Sequence, residues 1–211
     1  MTHDRTGAVS RRWLLGALTL VGAGLTACGG ASSAPPHASG CSVANYPDPA
    51  TSAYVLPWAV GQSFSTGLTN CDSSFHAEGQ PDQMAFDFQM PVGTTFVAAR
   101  AGTVSVVVDG EPSQGGGTGN LVAVDHGDGT SALYLHSPQN GIQVRVGERV
   151  EQGQVLGITG RSGLAGYPHL HFIVVTGSTD YPYQGVAVSF RNAAPADRIL
   201  VSSRVYRAEP Y

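Results

Sequence analysis

Residues 120–136 read NLVAVDHGDGTSALYLH. Two apolar, β-branched or alternating runs, 120–125 and 131–136, flank His126-Gly127-Asp128-Gly129. Asp-Gly between such runs is a hairpin signal. The same pattern continues outward. Residues 84–89, 94–99, 102–108, 142–146, 155–159 and 169–175 read as further short strands separated by turn residues. No segment shows sustained helical periodicity with good caps, so the expected fold is mainly β, with an antiparallel sheet core. The 28 glycines suit turns and short strands better than long helices. Residues 109–119, DGEPSQGGGTG, read as a long flexible hairpin loop. It has no Gly-Lys-Ser/Thr ending and is not a phosphate loop.

The 211 residues are enough for one domain plus an export segment. Positive charge comes from 11 arginines and no lysine, against 15 acids. Removing residues 1–27 takes away Asp4, Arg5, Arg11 and Arg12 and leaves 8 arginines against 14 acids. A net negative domain argues against nucleic-acid binding, which needs a basic face.

Residues 1–27 read as a signal peptide. Ser10-Arg11-Arg12-Trp13 gives a basic start with a twin arginine, and residues 14–25 are apolar. That stretch is shorter than the roughly 20 apolar residues of a spanning helix. It ends in Leu25-Thr26-Ala27-Cys28, which resembles a bacterial lipobox with Cys28 as the lipid attachment point. The expected location is the cell envelope, on the outer face of the cytoplasmic membrane or an outer membrane. Residues 28–53 contain a small, Pro-containing run and read as a flexible tether. Residues 54–195 form the expected domain and 196–211 a C-terminal tail. Cys41 and Cys71 are the even pair left in the mature chain, and in an oxidising compartment they suggest one disulfide.

The residues that could carry chemistry are mostly histidines. His169 and His171 lie two apart on an expected strand, so both point to one face, with Leu170 and Phe172 on the other. The pattern suits a metal site or two half-exposed strand histidines; alone it does not choose. Asp87 sits between Phe86 and Phe88. By itself it reads as a solvent-facing acid on an amphipathic strand, because a buried acid is costly unless it is paired or ligates a metal. By alternation Tyr134 and His136 share one face, and Leu133 and Leu135 the other. His76 alone reads as a loop histidine, and His126, before a turn, as structural.

Together these pieces resemble the lysostaphin-type (LytM-like) zinc metallopeptidases of bacterial peptidoglycan, over roughly residues 54–192. The most specific piece runs from Gly163 to Phe172 and ends in His169-Leu170-His171-Phe172. Residues 146–154, VGERVEQGQ, look like the family's V-x-G-x-x-V-x-x-G-Q turn. Residues 91–99 with Gly102-Thr103-Val104 look like its central strands, and Tyr134-x-His136 fits its catalytic-histidine strand. The resemblance implies His76, Asp87 and His171 as ligands of one Zn2+ and His136 and His169 as catalytic histidines. Tyr134 either adds a hydrogen bond at the site or packs in the core. Many members space the first two ligands as His-x-x-x-Asp, whereas here ten residues separate His76 from Asp87.

The resemblance implies a zinc endopeptidase acting on peptidoglycan stem peptides or cross-bridges; the N-terminal segment adds export and a lipid anchor, and a monomer is expected. Its rival is a catalytically inactive member that activates or scaffolds cell-wall hydrolases; such members usually lose a ligand, and here each can be placed. The Val-x-Gly turns also resemble lipoyl-like and sugar-phosphotransferase folds. A lipoyl carrier needs a lysine, and a cytoplasmic phosphotransfer protein would carry no export signal.

Overall fold

The architecture follows from which face of each strand is apolar. It is described from a computed structural model that covers residues 41, 42 and 45–211. The expected signal peptide and the expected lipid site at Cys28 lie outside the described residues.

The strands in chain order are β1 (Ser63–Thr66), β2 (Phe86–Gln89), β3 (Thr95–Val97), β4 (Gly102–Val108), β5 (Gln114–Gly115) and β6 (Asn120–Asp125). They continue with β7 (Thr130–Ser137), β8 (Arg149–Val150), β9 (Val155–Ile158), β10 (Arg161–Ser162), β11 (Leu170–Thr176), β12 (Ala193–Ala194) and β13 (Val205–Ala208). Among the described residues nine of these form one sheet in the order β12-β13-β1-β2-β11-β7-β6-β4-β8. Every pairing in it is antiparallel. β3 pairs with β9, and β5 with β10. The mainly antiparallel β fold expected from the 120–136 hairpin is the fold observed.

The central strands are buried on both faces. Register places Phe172 opposite Phe86 and Tyr134, and Val122 opposite Tyr134. These side chains share one face, packed with Trp58, Phe96, Leu156 and Phe190 into the main aromatic core. The other face carries a smaller layer, Ala85, Leu121, Ala123, Leu133, Leu135, Ile173 and Val175. Each large side chain buried this way contributes about 1.5–3 kcal/mol. Asp87 and His171 lie opposite each other in the β2–β11 register, and His171 also faces Leu135. The polar site therefore starts where the smaller apolar layer ends.

Four expectations change. The expected strand 142–146 is reduced to a single bridge between Ile142 and Gly157. The loop 109–119 is not free along its length: β5 within it pairs with β10, and Asn120 Nδ2 donates to the Glu111 and Ser137 carbonyls. The expected tether is folded from residue 45 onward. Asp48 caps the 3-10 turn Pro49–Thr51, Tyr46 is buried, and Arg198 donates to the Tyr46 carbonyl. Cys41 is bonded to Cys71, with Cα atoms 5.5 Å apart, which ties this segment down. The expected C-terminal tail contributes β12's partner, β13, whose burial alternates: Val205 and Arg207 out, Tyr206 and Ala208 in. Tyr206 Oη donates to the Asp197 carboxylate and accepts from Val201 N–H.

Candidate functional site

Asp87 reaches the site because β2 runs between the two layers. Phe86 and Phe88 fill the main core, so strand alternation turns Asp87 to the opposite face. There it is 4% exposed, which corrects the solvent-facing reading of the strand alone. Its cost of burial is met by three imidazoles. Asp87 Oδ1 lies 2.9 Å from His171 Nδ1, 3.5 Å from His76 Nε2 and 3.4 Å from His169 Nε2. Tyr167 Oη donates to the other carboxylate oxygen at 3.3 Å.

His76 comes from the short 3-10 turn Ser74–His76 and is buried, not a surface loop histidine. Its Nδ1 lies 3.3 Å from the Thr69 carbonyl, which leaves Nε2 facing Asp87. The long insert between His76 and Asp87 is thus bridged by the fold. His171 uses the opposite nitrogens: Nδ1 faces Asp87, and Nε2 lies 3.3 Å from Asp82 Oδ1. Donor atoms of His76, Asp87 and His171 all lie within 4.8 Å of one another. A nitrogen–oxygen–nitrogen set with its outer nitrogens directed at acceptors fits a zinc ion with a fourth position left for chemistry. A second group, His136, His169 and His171, meets the same distance limit but offers no carboxylate to offset the charge of a dication.

His136 arrives by a route that strand alternation does not foresee. Alternation from Tyr134 would aim it into the aromatic core. Instead its backbone is left-handed, φ 75°, at the end of β7. For a non-glycine residue this costs roughly 1–2 kcal/mol. The ring lies 4.7 Å from that of His169 and 5.7 Å from that of His171, between centroids. Gly160 allows the chain to pass behind it: a Cβ there would lie 2.5 Å from Pro138 N and 2.8 Å from the His136 carbonyl oxygen.

Tyr134 goes the other way and takes the core alternative of its two readings, not the supporting one at the site. Its ring is fully buried and stacked on Phe96, and its hydroxyl accepts from Ala99 N–H at 2.8 Å. His126 is held away from the site by Ala101, whose carbonyl lies 3.0 Å from its Nδ1, and by an edge contact with Tyr54.

The protein's own electrostatics separate the histidines. Burial, with His171 and His169 nearby, pushes His136 down to about 3 and keeps it neutral at pH 7. Burial also lowers His169, against the attraction of Asp87. Burial opposes charge on His171, but Asp82 and Asp87 win and hold it up at about 9. Burial would raise Asp87; hydrogen bonds from His171 and His76 override it and hold the carboxyl well below its usual range. Tyr167 is pushed up to about 12 by burial and by Asp87, so it stays a donor.

Two side chains at the site, Asp82 and Tyr167, were not foreseen. Asp82 follows Pro81 in a turn and has no strand partner to give it a face. Tyr167 stands two residues before His169, where its position next to Pro168 was the one available hint.

Comparison with known proteins places this geometry. Residues 82–182 match the model of Peptidase family M23, a span that holds Asp87, His136, His169 and His171 but begins after His76. Peptidoglycan DD-endopeptidase ShyA of Vibrio cholerae is 36% identical over 89 residues, 42% of this chain and 19% of that protein. Glycyl-glycine endopeptidase ALE-1 of Staphylococcus capitis is 38% identical over 93 residues, 44% of this chain and 24% of that protein. The matched segment thus spans about a quarter or less of these relatives' length. Among solved structures, lysostaphin from Staphylococcus simulans is 26% identical with a TM-score of 0.49, covering 64% of this chain and 52% of that one. Over residues 82–182 the chain is thus similar to peptidase family M23, the family of the lysostaphin type.

Proposed function

We propose that the protein is a zinc metalloendopeptidase that hydrolyses peptide bonds in bacterial peptidoglycan, held at the cell envelope by a lipid on Cys28. The observation that carries this reading is the convergence of His76 Nε2 and His171 Nδ1 on Asp87 Oδ1, with the rings of His136 and His169 alongside. The names of the two relatives, both peptidoglycan or glycyl-glycine endopeptidases, support the substrate class.

His76, Asp87 and His171 hold the metal. Zinc in such a set supplies Lewis acidity and lowers the pKa of a nearby water toward ~7. The remaining steps belong to the two other histidines. His136 Nδ1 lies 2.8 Å from the Ser162 carbonyl, and His169 Nδ1 lies 2.8 Å from the Tyr167 carbonyl. A carbonyl oxygen only accepts, so each Nδ1 carries the proton and each Nε2 keeps its lone pair. Both rings then have the right form for a base at neutral pH. One takes the proton of the attacking water at Nε2 and, now carrying it there, returns it to the leaving amine; the other can hydrogen-bond the developing oxyanion only in a form protonated on Nε2. Buried positions exclude bulk water from both.

The competing reading is an inactive activator or scaffold. The presence of all five residues favours the enzyme. Purified protein digesting isolated sacculi should release fragments of defined mass, stop with a chelator and resume with added zinc. No chelator-sensitive release from any wall type, by mass spectrometry, would support the scaffold.

A further inference from the structure

His171 is flanked by two carboxylates, one on each ring nitrogen. Asp87 Oδ1 faces Nδ1 at 2.9 Å, and Asp82 Oδ1 faces Nε2 at 3.3 Å. The first is a metal ligand in the reading above. The second is not: Asp82 stands outside the cluster whose donor atoms gather within 4.8 Å. Building on that zinc reading, we propose that Asp82 is a positioning residue, which holds the remaining ring proton of His171 on Nε2 so that Nδ1 presents its lone pair to the metal.

A neutral imidazole has one proton for two nitrogens. Metal binding at Nδ1 displaces a proton there and obliges the remaining one to sit on Nε2. His171 is buried, so that proton needs an acceptor in the protein. A carboxylate can only accept when ionised, and Asp82 Oδ1 is buried without a satisfied hydrogen bond among the described residues, with His171 Nε2 facing it at an ion-pair distance of 3.3 Å. Without it the ring's proton is best placed on Nδ1, where Asp87 would accept it, and the wrong nitrogen would be offered. Asp82 is also well anchored. Its carbonyl accepts from Ala85 N–H at 2.8 Å, which closes the turn leading into β2, and Ala85 is packed in the smaller apolar layer. The turn that delivers Asp82 thus leads directly into the strand that delivers Asp87, so one local structure places both carboxylates against one ring.

The test is zinc affinity, measured by chelator competition on the folded protein, with metal-free melting as the structural control. Asp82→Ala should weaken zinc by roughly 10–100-fold, the range for such outer partners. Asp82→Asn, whose amide oxygen still accepts from Nε2–H, should recover most of that loss. Zinc affinity of Asp82→Ala within twofold of wild type overturns the proposal, whatever happens to its melting. Should that variant not fold, imidazole nitrogen NMR of zinc-loaded wild type decides. His171 should show its proton on Nε2 and metal on Nδ1, and the reverse arrangement overturns the proposal. A wild-type protein that binds no zinc overturns the zinc reading and this one with it; wild-type binding with an unchanged Asp82→Ala overturns this one alone.

Discussion

Replacing Tyr134 by Phe separates a core residue from a residue of the site. The substitution keeps the ring, its stack on Phe96 at 5.7 Å and its edge contact with Phe172 at 5.2 Å between centroids. It removes the hydroxyl that accepts from Ala99 N–H at 2.8 Å. Ala99 is fully buried, so water cannot replace the lost acceptor. A buried donor left unsatisfied costs about 1–3 kcal/mol. For a domain of this size each kcal/mol moves the midpoint by roughly 2–4 °C, so a fall of about 2–12 °C is expected. Urea unfolding and thermal melting read the stability, and hydrolysis of a cell-wall peptide at a temperature where both proteins are folded reads the turnover. Turnover per folded molecule should stay within about twofold, because the hydroxyl contacts nothing in the catalytic group. A variant of unchanged stability whose turnover falls by tenfold or more would refute this and restore Tyr134 to the site.

The histidines proposed as catalytic and those proposed as ligands should separate in the same way. His171→Ala should lose zinc and activity together, whereas His169→Ala should keep zinc and lose about 10²–10⁴-fold in turnover, read by metal analysis beside the peptide assay. Full hydrolysis by zinc-loaded His169→Ala would show the role assigned to His169 to be wrong. The Cys41–Cys71 disulfide closes a 30-residue separation just ahead of His76. Its removal by Cys41→Ser with Cys71→Ser should cost about 2–4 kcal/mol in urea unfolding; an unchanged midpoint would contradict a structural role. His136 has a folded pKa of about 3, below its unfolded value. Its effect on stability is therefore nil above about pH 6.5 and increasingly unfavourable as pH falls toward about 3, where the unfolded chain takes up a proton that the native site resists. Urea unfolding at pH 7 and pH 4.5 should show a smaller acid loss for His136→Asn than for wild type; an equal loss would contradict the burial argument. His171 has the opposite sign, since its folded pKa is raised to about 9: its contribution is present below about pH 6.5 and fades as pH rises through 9.

The sequence made the central hairpin legible because β6 and β7 are mostly apolar runs, buried on both faces, that flank an Asp-Gly turn and are six and eight residues long. Strands of two to four residues, such as β1, β8 and β13, carry too few side chains for a period. Their existence depends on the neighbours they pair with. The His169-Leu170-His171 spacing anticipated that both rings share one face, and the structure places Asp87 on that face, since period two survives wherever the strand is regular. The same rule failed at His136, where one left-handed residue reverses the side chain and separates it from Tyr134. Nothing in Tyr134-Leu135-His136 signals that φ. His76, which only the family resemblance pointed to, and Asp82, which nothing pointed to, were hard to read for a different reason. Both lie on turns, and only the closing of the 71–85 segment against β2, through Cys71 N–H to the Gln83 carbonyl and Ala85 N–H to the Asp82 carbonyl, brings them near one metal position.

The measurement that bears most directly on the account is the position of zinc, found by anomalous scattering at the zinc edge from crystals of the zinc-loaded protein. The account predicts one ion per domain, bound by His76 Nε2, Asp87 Oδ1 and His171 Nδ1, with His136 and His169 beside it but not coordinating. An ion held instead by His136, His169 and His171, or one that leaves His76 free, would contradict it.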